Sequence, residues 1–70
     1  MDIKYTLHAE EQVNDRKIEK VWIEETIRHP HKTERDGNKY YVIRKLNGRT
    51  LKVVYVKENY IKVITVFFIQ

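Results

Sequence analysis

The sequence predicts one small α+β domain, in which a short N-terminal strand or extended lead-in and two helices pack on a four-stranded antiparallel meander. Three observations predict it. Apolar residues recur at helical spacing up to Pro30, the only proline. Beyond it, runs rich in Val, Ile, Tyr and Phe are separated by turn signals at Asp36-Gly37-Asn38, Asn47-Gly48 and Glu58-Asn59. The chain has 70 residues, which is one domain, with a helical part over 1–30 and the sheet over 31–70.

Each element follows in order. Ile3-Lys4-Tyr5-Thr6-Leu7 alternates apolar and polar residues, as a strand or lead-in does. A first helix should start near His8, with Thr6 as its cap and Glu10 and Glu11 in the first turn, where acids suit the positive end of the dipole. Ala9 and Val13 make its buried stripe, and it should end near Arg16-Lys17. A second helix is expected over Ile18 to His29, with Ile18, Val21 and Trp22 stacked and Ile23 and Ile27 extending the apolar face. Pro30 stops it, because proline pushes the residue before it out of the α region.

The meander begins with a polar edge strand over His31 to Asp36. Lys39 to Leu46, Arg49 to Lys57 and Tyr60 to Ile69 follow, the last apolar on both faces and so expected to be central or covered on both sides. Asn47-Gly48 is the strongest hairpin signal, and it pairs Leu46 with Arg49, Arg44 with Leu51 and Val42 with Val53. A two-residue turn at Glu58-Asn59 pairs Val53 with Ile64 and Lys52 with Thr65. Arg44, Arg49, Leu51, Ile64, Val66 and Phe68 then share one face. Lys45, Lys52, Val54, Val63, Thr65 and Phe67 share the other. The pattern leaves open which face meets the helices.

Composition narrows the function classes. No apolar run approaches the roughly 20 residues of a membrane span, and Met1-Asp2-Ile3-Lys4 is not followed by the apolar region of a signal peptide. Cysteine is absent, which fits a reducing compartment, so a cytoplasmic location is expected. A domain this short is marginal alone, and a protein partner or weak self-association is a reasonable source of stability. Residues 1–36 hold seven Lys/Arg against nine Asp/Glu, a net of −2; residues 37–70 hold seven against one, a net of +6. The C-terminal half is therefore a concentrated cationic surface, suited to phosphates. Lysines on strands also block edge pairing, so the same charges read equally as protection of an exposed sheet.

Candidate chemistry is sparse. His8, Gln12 and Arg16 lie at i, i+4 and i+8, one stripe carrying a base and a cation; a helix-start position favours neutral imidazole. The plainer reading is a capping histidine and a surface arginine. His29 and His31 flank Pro30, but a closed metal site needs about four ligands, and neither cysteine nor an acidic cluster adjoins, so neither metal nor another cofactor is expected. In the sheet, Tyr40, Tyr41, Arg44, Lys45, Arg49, Lys52, Tyr55, Tyr60 and Lys62 interleave cations and aromatics, as single-stranded RNA binding does. Tyrosines are also ordinary strand residues. Thr65 is a polar residue inside an apolar strand. Neither a Gly-rich phosphate loop nor a paired-carboxylate arrangement occurs.

Leu7-His8-Ala9, Arg16-Lys17-Ile18 and Ile27-Arg28-His29-Pro30, followed by Glu34 to Asp36, Tyr41 to Lys45, Leu51-Lys52-Val53-Val54 and Val63-Ile64-Thr65-Val66, resemble a family of small prokaryotic domains of unknown function. That family is similar in architecture to RelE/ParE-type toxins and related metal-independent RNases. The resemblance implies a RelE-like fold and a possible endoribonuclease of a toxin–antitoxin pair, with RNA as substrate and an antitoxin-like protein as partner. It would make His8, Arg16, Arg44 and Thr65 catalytic, with Gln12, Lys45, Arg49, Lys52 and Tyr55 holding nucleic acid. The chain has Gln12 where the family pattern carries an Arg, which weakens the phosphate-binding assignment. The alternative is a non-catalytic module binding nucleic acid or an acidic protein through the basic sheet.

Overall fold

A computed structural model describes residues 1–69. The chain runs β1 (Ile3–Tyr5), α1 (Leu7–Arg16), α2 (Lys20–Arg28), β2 (Lys32–Asp36), β3 (Lys39–Leu46), β4 (Arg49–Lys57) and β5 (Ile61–Ile69). The sheet has five strands in the order β1-β5-β4-β3-β2. The expected four-stranded antiparallel sheet is thus a five-stranded mixed one, because the N-terminal segment adds to it as a strand parallel to β5, pairing Ile3 with Ile61 and Tyr5 with Val63. The polar strand β2 is an edge, exposed at every residue.

α1 begins and ends where the sequence places it. The Thr6 hydroxyl oxygen accepts from the Ala9 N–H at 3.1 Å and so caps α1. At the other end the Lys17 N–H reaches the Asn14 carbonyl and the Ile18 N–H the Val13 carbonyl, the paired bonds of a Schellman motif. Lys17 there takes the left-handed conformation, with φ 54. Ile18 is consequently part of the helix stop rather than of α2. Val13 and Ile18 both join the core, which supplies the apolar contact that accompanies this motif.

α2 is shorter than Ile18–His29, and its buried face is Ile23, Thr26 and Ile27. Val21, expected in the apolar stack, is 61 % exposed. Thr26 is fully buried, and its hydroxyl donates to the Trp22 carbonyl at 2.8 Å, one turn back. Both helices cover the same side of the sheet. Ala9, Ile18, Ile23 and Ile27 pack with Val42, Leu51, Val53, Tyr55, Ile61, Val63 and Val66 in one cluster.

The hairpin register matches the sequence expectation at every pair given for it: Leu46 with Arg49, Arg44 with Leu51, Val42 with Val53. Asn47 and Gly48 both have positive φ, 49 and 82, as a two-residue turn of the primed type requires. The β4–β5 register differs. Lys57 pairs with Ile61, so the connection is Glu58-Asn59-Tyr60, and a bulge falls between Val54 and Tyr55 opposite Ile64. These two one-residue shifts place Val53 opposite Val66 and Lys52 opposite Phe67, correcting the expected pairs with Ile64 and Thr65. They also carry Val63 to the helix side, opposite Tyr55, where it is fully buried.

Candidate nucleic-acid interface

α1 lies along β5 beyond the point where β1 ends. β1 covers β5 only as far as Val63. From there Thr6 and Gln12 take over: the Thr6 hydroxyl donates to the Ile64 carbonyl at 3.2 Å, and the Gln12 amide oxygen accepts from the Thr65 hydroxyl at 2.8 Å and from the Val66 N–H at 2.9 Å. Thr65, next to the bulge, thus meets α1 although Val54 is its ladder partner. Gln12 therefore fastens a strand edge, and its oxygen is committed to that role. His8 and Arg16 flank it on the same stripe, both exposed, with about 12 Å of helix axis between them.

Arg44 is elsewhere. It sits on β3 on the helix side, and its guanidinium donates to the His29 carbonyl at the C-terminal end of α2, where a cation complements the helix dipole. Its Nε is buried with no partner. β3 and β5 are separated by β4, about 10 Å across the sheet. The structure thus brings His8, Gln12, Arg16 and Thr65 to one edge and leaves Arg44 beneath the other helix. His31 joins Arg44's neighbourhood: its Nδ1 accepts from the Lys45 N–H at 3.1 Å, fixing β2 against β3.

Tyr55 is buried, stacked on Tyr40 with ring centroids 5.0 Å apart and planes 5° from parallel. Burial, and then the neighbouring Tyr40, push its hydroxyl pKa upward. It is a core residue of the helix side. Tyr5 lies on the same side under the Lys20 ammonium, 4.5 Å from the ring centroid. Its hydroxyl is buried without a partner, and burial together with the charges of Glu24 and Glu10 pushes its pKa up to about 12.

Among the described residues no element lies over the other face of the sheet. Register places Lys4, Lys32, Lys39, Lys45, Lys52 and Lys62 there, around Tyr41, Ile43, Val54, Val56, Phe67 and Ile69. Glu34 and Asp36 on β2 are its acids. Lys39 and Lys52 hold their ammonium groups 5.5 and 5.8 Å from the centre of the Tyr41 ring. A shallow depression of about 150 Å³ opens beside Tyr41, lined by Lys32, Glu34, Ile43, Lys52 and Ile69.

The strand arginines lie on the helix side and the strand lysines on the open side, except Lys57, which pairs with Ile61 on the helix side. Arg35, Arg44 and Arg49 share the helix side and each is engaged: Arg35 with the Gly37 carbonyl and the Tyr40 ring, Arg44 with His29, Arg49 over the Phe68 ring at 3.6 Å. A larger cavity, about 290 Å³, lies at the β3–β4 hairpin, lined by Trp22, Lys45, Leu46, Asn47, Arg49 and Phe68. The sequence pattern marked Lys45 and Arg49. It assigned Trp22 to the core stripe, and Asn47 only to the turn. Their convergence on one cavity depends on how α2 crosses the sheet, which no local pattern encodes.

Among the described residues no helix is long and apolar enough to cross a membrane. No curated protein and no solved structure matches the chain. A family model does match, over residues 5–68, from β1 almost to the end of β5. The chain belongs to the family described as a domain of unknown function, DUF4258.

Proposed function

We propose that this domain binds single-stranded RNA through the sheet face that the helices leave open. The observation that carries the reading is the composition of that face: six lysines around an aromatic and aliphatic centre, with two ammonium groups flanking Tyr41. Ammonium groups supply sequence-independent phosphate contacts, and exposed rings on a sheet supply stacking platforms for splayed bases. Lys45 and Lys52, on β3 and β4, are the central cations of this surface. The test is binding of a labelled single-stranded RNA across a salt series, for the wild type and for a Lys45→Glu, Lys52→Glu variant. Salt-sensitive binding that the variant loses supports the reading. Unaltered binding by the variant refutes it, and salt-insensitive or absent binding directs the search to a protein partner, for which the exposed edge strand β2 offers unpaired backbone groups.

A second reading, RNA cleavage by a RelE-like toxin domain, is favoured by one observation: His8 and Arg16 stand exposed on either side of the Gln12–Thr65 bond. In that reading the RNA 2′-hydroxyl is the nucleophile, His8 moves its proton, and Arg16 stabilises the charge that builds on the phosphate. Arg44, committed to the His29 carbonyl, acts there as a support for α2. Incubation of mixed RNA in EDTA with wild type and His8→Ala separates the two readings. Cleavage by wild type alone assigns the chemistry to His8; intact RNA with both leaves a binding module.

A further inference from the structure

The hairpin cavity brings cationic and aromatic side chains together on the helix side of the sheet. Its walls are apolar and aromatic, from Trp22, Phe68 and Leu46, and its charged lining among the described residues is cationic, from Lys45 and Arg49. Its volume, about 290 Å³, is at the small end of the range for ligand clefts, which suits a compact ligand.

The side chains are arranged for a flat ring bearing an anion. Phe68 meets Trp22 edge-on, with ring planes at 62° and centroids 6.3 Å apart, and no other ring or cation is found stacked on the indole among the described residues. Arg49 stands over Phe68 at 3.6 Å. Stacking engages the flat face of a guanidinium and leaves its in-plane N–H donors free, the edge that binds phosphate bidentately. Among the described residues Arg49 has neither an ion pair nor a side-chain hydrogen bond of its own. Asn47, held in the left-handed conformation at φ 49 by the turn, adds an amide able to meet a base edge as both donor and acceptor.

Resting on the RNA-binding reading, we infer that this cavity is a subsite for one nucleotide, with the base against Trp22 and its phosphate on the Arg49 guanidinium. An acidic peptide would satisfy Arg49 and Lys45 but would leave the indole without a flat partner. Lys45 links the subsite to the lysine face: its register puts it on the open side of the sheet, and it also lines the cavity. A strand of RNA crossing the open face would thus reach the rim of the hairpin with one nucleotide turned into the pocket.

Trp22 is the only tryptophan, so its emission reports this site directly. The full chain is titrated with a nucleoside 5′-monophosphate, inorganic phosphate, a short single-stranded RNA and polyglutamate, reading tryptophan emission, with RNA binding followed separately by anisotropy. The expected result is saturable quenching by the monophosphate and the RNA, little change with phosphate or polyglutamate, and a Kd raised about tenfold or more in Arg49→Gln, since a charge-assisted bond of this kind is lost. Arg49 is exposed, so this variant keeps the core intact. RNA binding by anisotropy with silent Trp22 and an unaffected Arg49→Gln overturns the subsite and leaves the lysine face standing. Quenching by the monophosphate without any RNA binding keeps the subsite and removes the RNA reading. Quenching by polyglutamate alone, or by phosphate as strongly as by the nucleotide, overturns the nucleotide assignment.

Discussion

The Gln12 amide oxygen accepts from both the Thr65 hydroxyl, at 2.8 Å, and the Val66 N–H, at 2.9 Å. A helix side chain here satisfies the strand edge that β1 is too short to reach. Gln12→Ala leaves both donors without this partner and should cost about 1–2 kcal/mol of stability. Gln12→Glu, whose carboxylate accepts both bonds, should restore most of that loss near neutral pH. Denaturant midpoints at unchanged m-value measure both. A neutral Gln12→Ala would show that water serves this edge equally well.

Tyr5 makes alkaline pH destabilising. Its hydroxyl pKa is raised from 10.0 to about 12 in the fold, so between those values the unfolded chain releases a proton that the folded chain keeps. Stability should fall as pH rises through this window and level off above it. Tyr5→Phe should flatten that decline. Near neutral pH it should cost nothing, because the hydroxyl is buried without a partner. Unfolding curves at pH 8 and pH 11 compare the two proteins.

Lys17 holds a left-handed conformation, φ 54, that costs any residue with a Cβ. Lys17→Gly should therefore raise stability by roughly 0.5–1 kcal/mol, measured as an upward shift in the thermal midpoint. A loss of stability would mean that the lysine side chain contributes more than its backbone strain.

Arg44 should prove structural. Arg44→Ala removes the donor to the His29 carbonyl and the cation at the end of α2, and should cost about 1–3 kcal/mol. The salt dependence of RNA binding should stay at its wild-type slope. A reduced slope would place Arg44 among the phosphate contacts instead.

Lys52→Ala should do the reverse. It should leave the free energy of unfolding within about 0.5 kcal/mol of wild type and lower the salt slope by about one ion. An unchanged slope would remove Lys52 from the RNA path.

The sequence by itself determined what depends on neighbours a few residues apart. Thr6 as cap, the stop of α1 near Lys17, Pro30, the Asn47-Gly48 turn and the three hairpin pairs all follow from local backbone preference, and each stands in the structure. Tertiary structure alone decided the rest. The parallel pairing of Ile3 with Ile61 joins residues far apart in sequence, and no turn specifies it. The longer Glu58-Asn59-Tyr60 connection and the bulge at Ile64 each move β5 by one residue, and side-chain alternation cannot count such shifts in a strand that is apolar on both faces. Gln12 became an edge fastener, Arg44 a support for α2 and Trp22 a cavity wall because two helices chose one face of the sheet. That choice rests on the summed burial of side chains from five elements, a quantity that no single stretch of sequence contains.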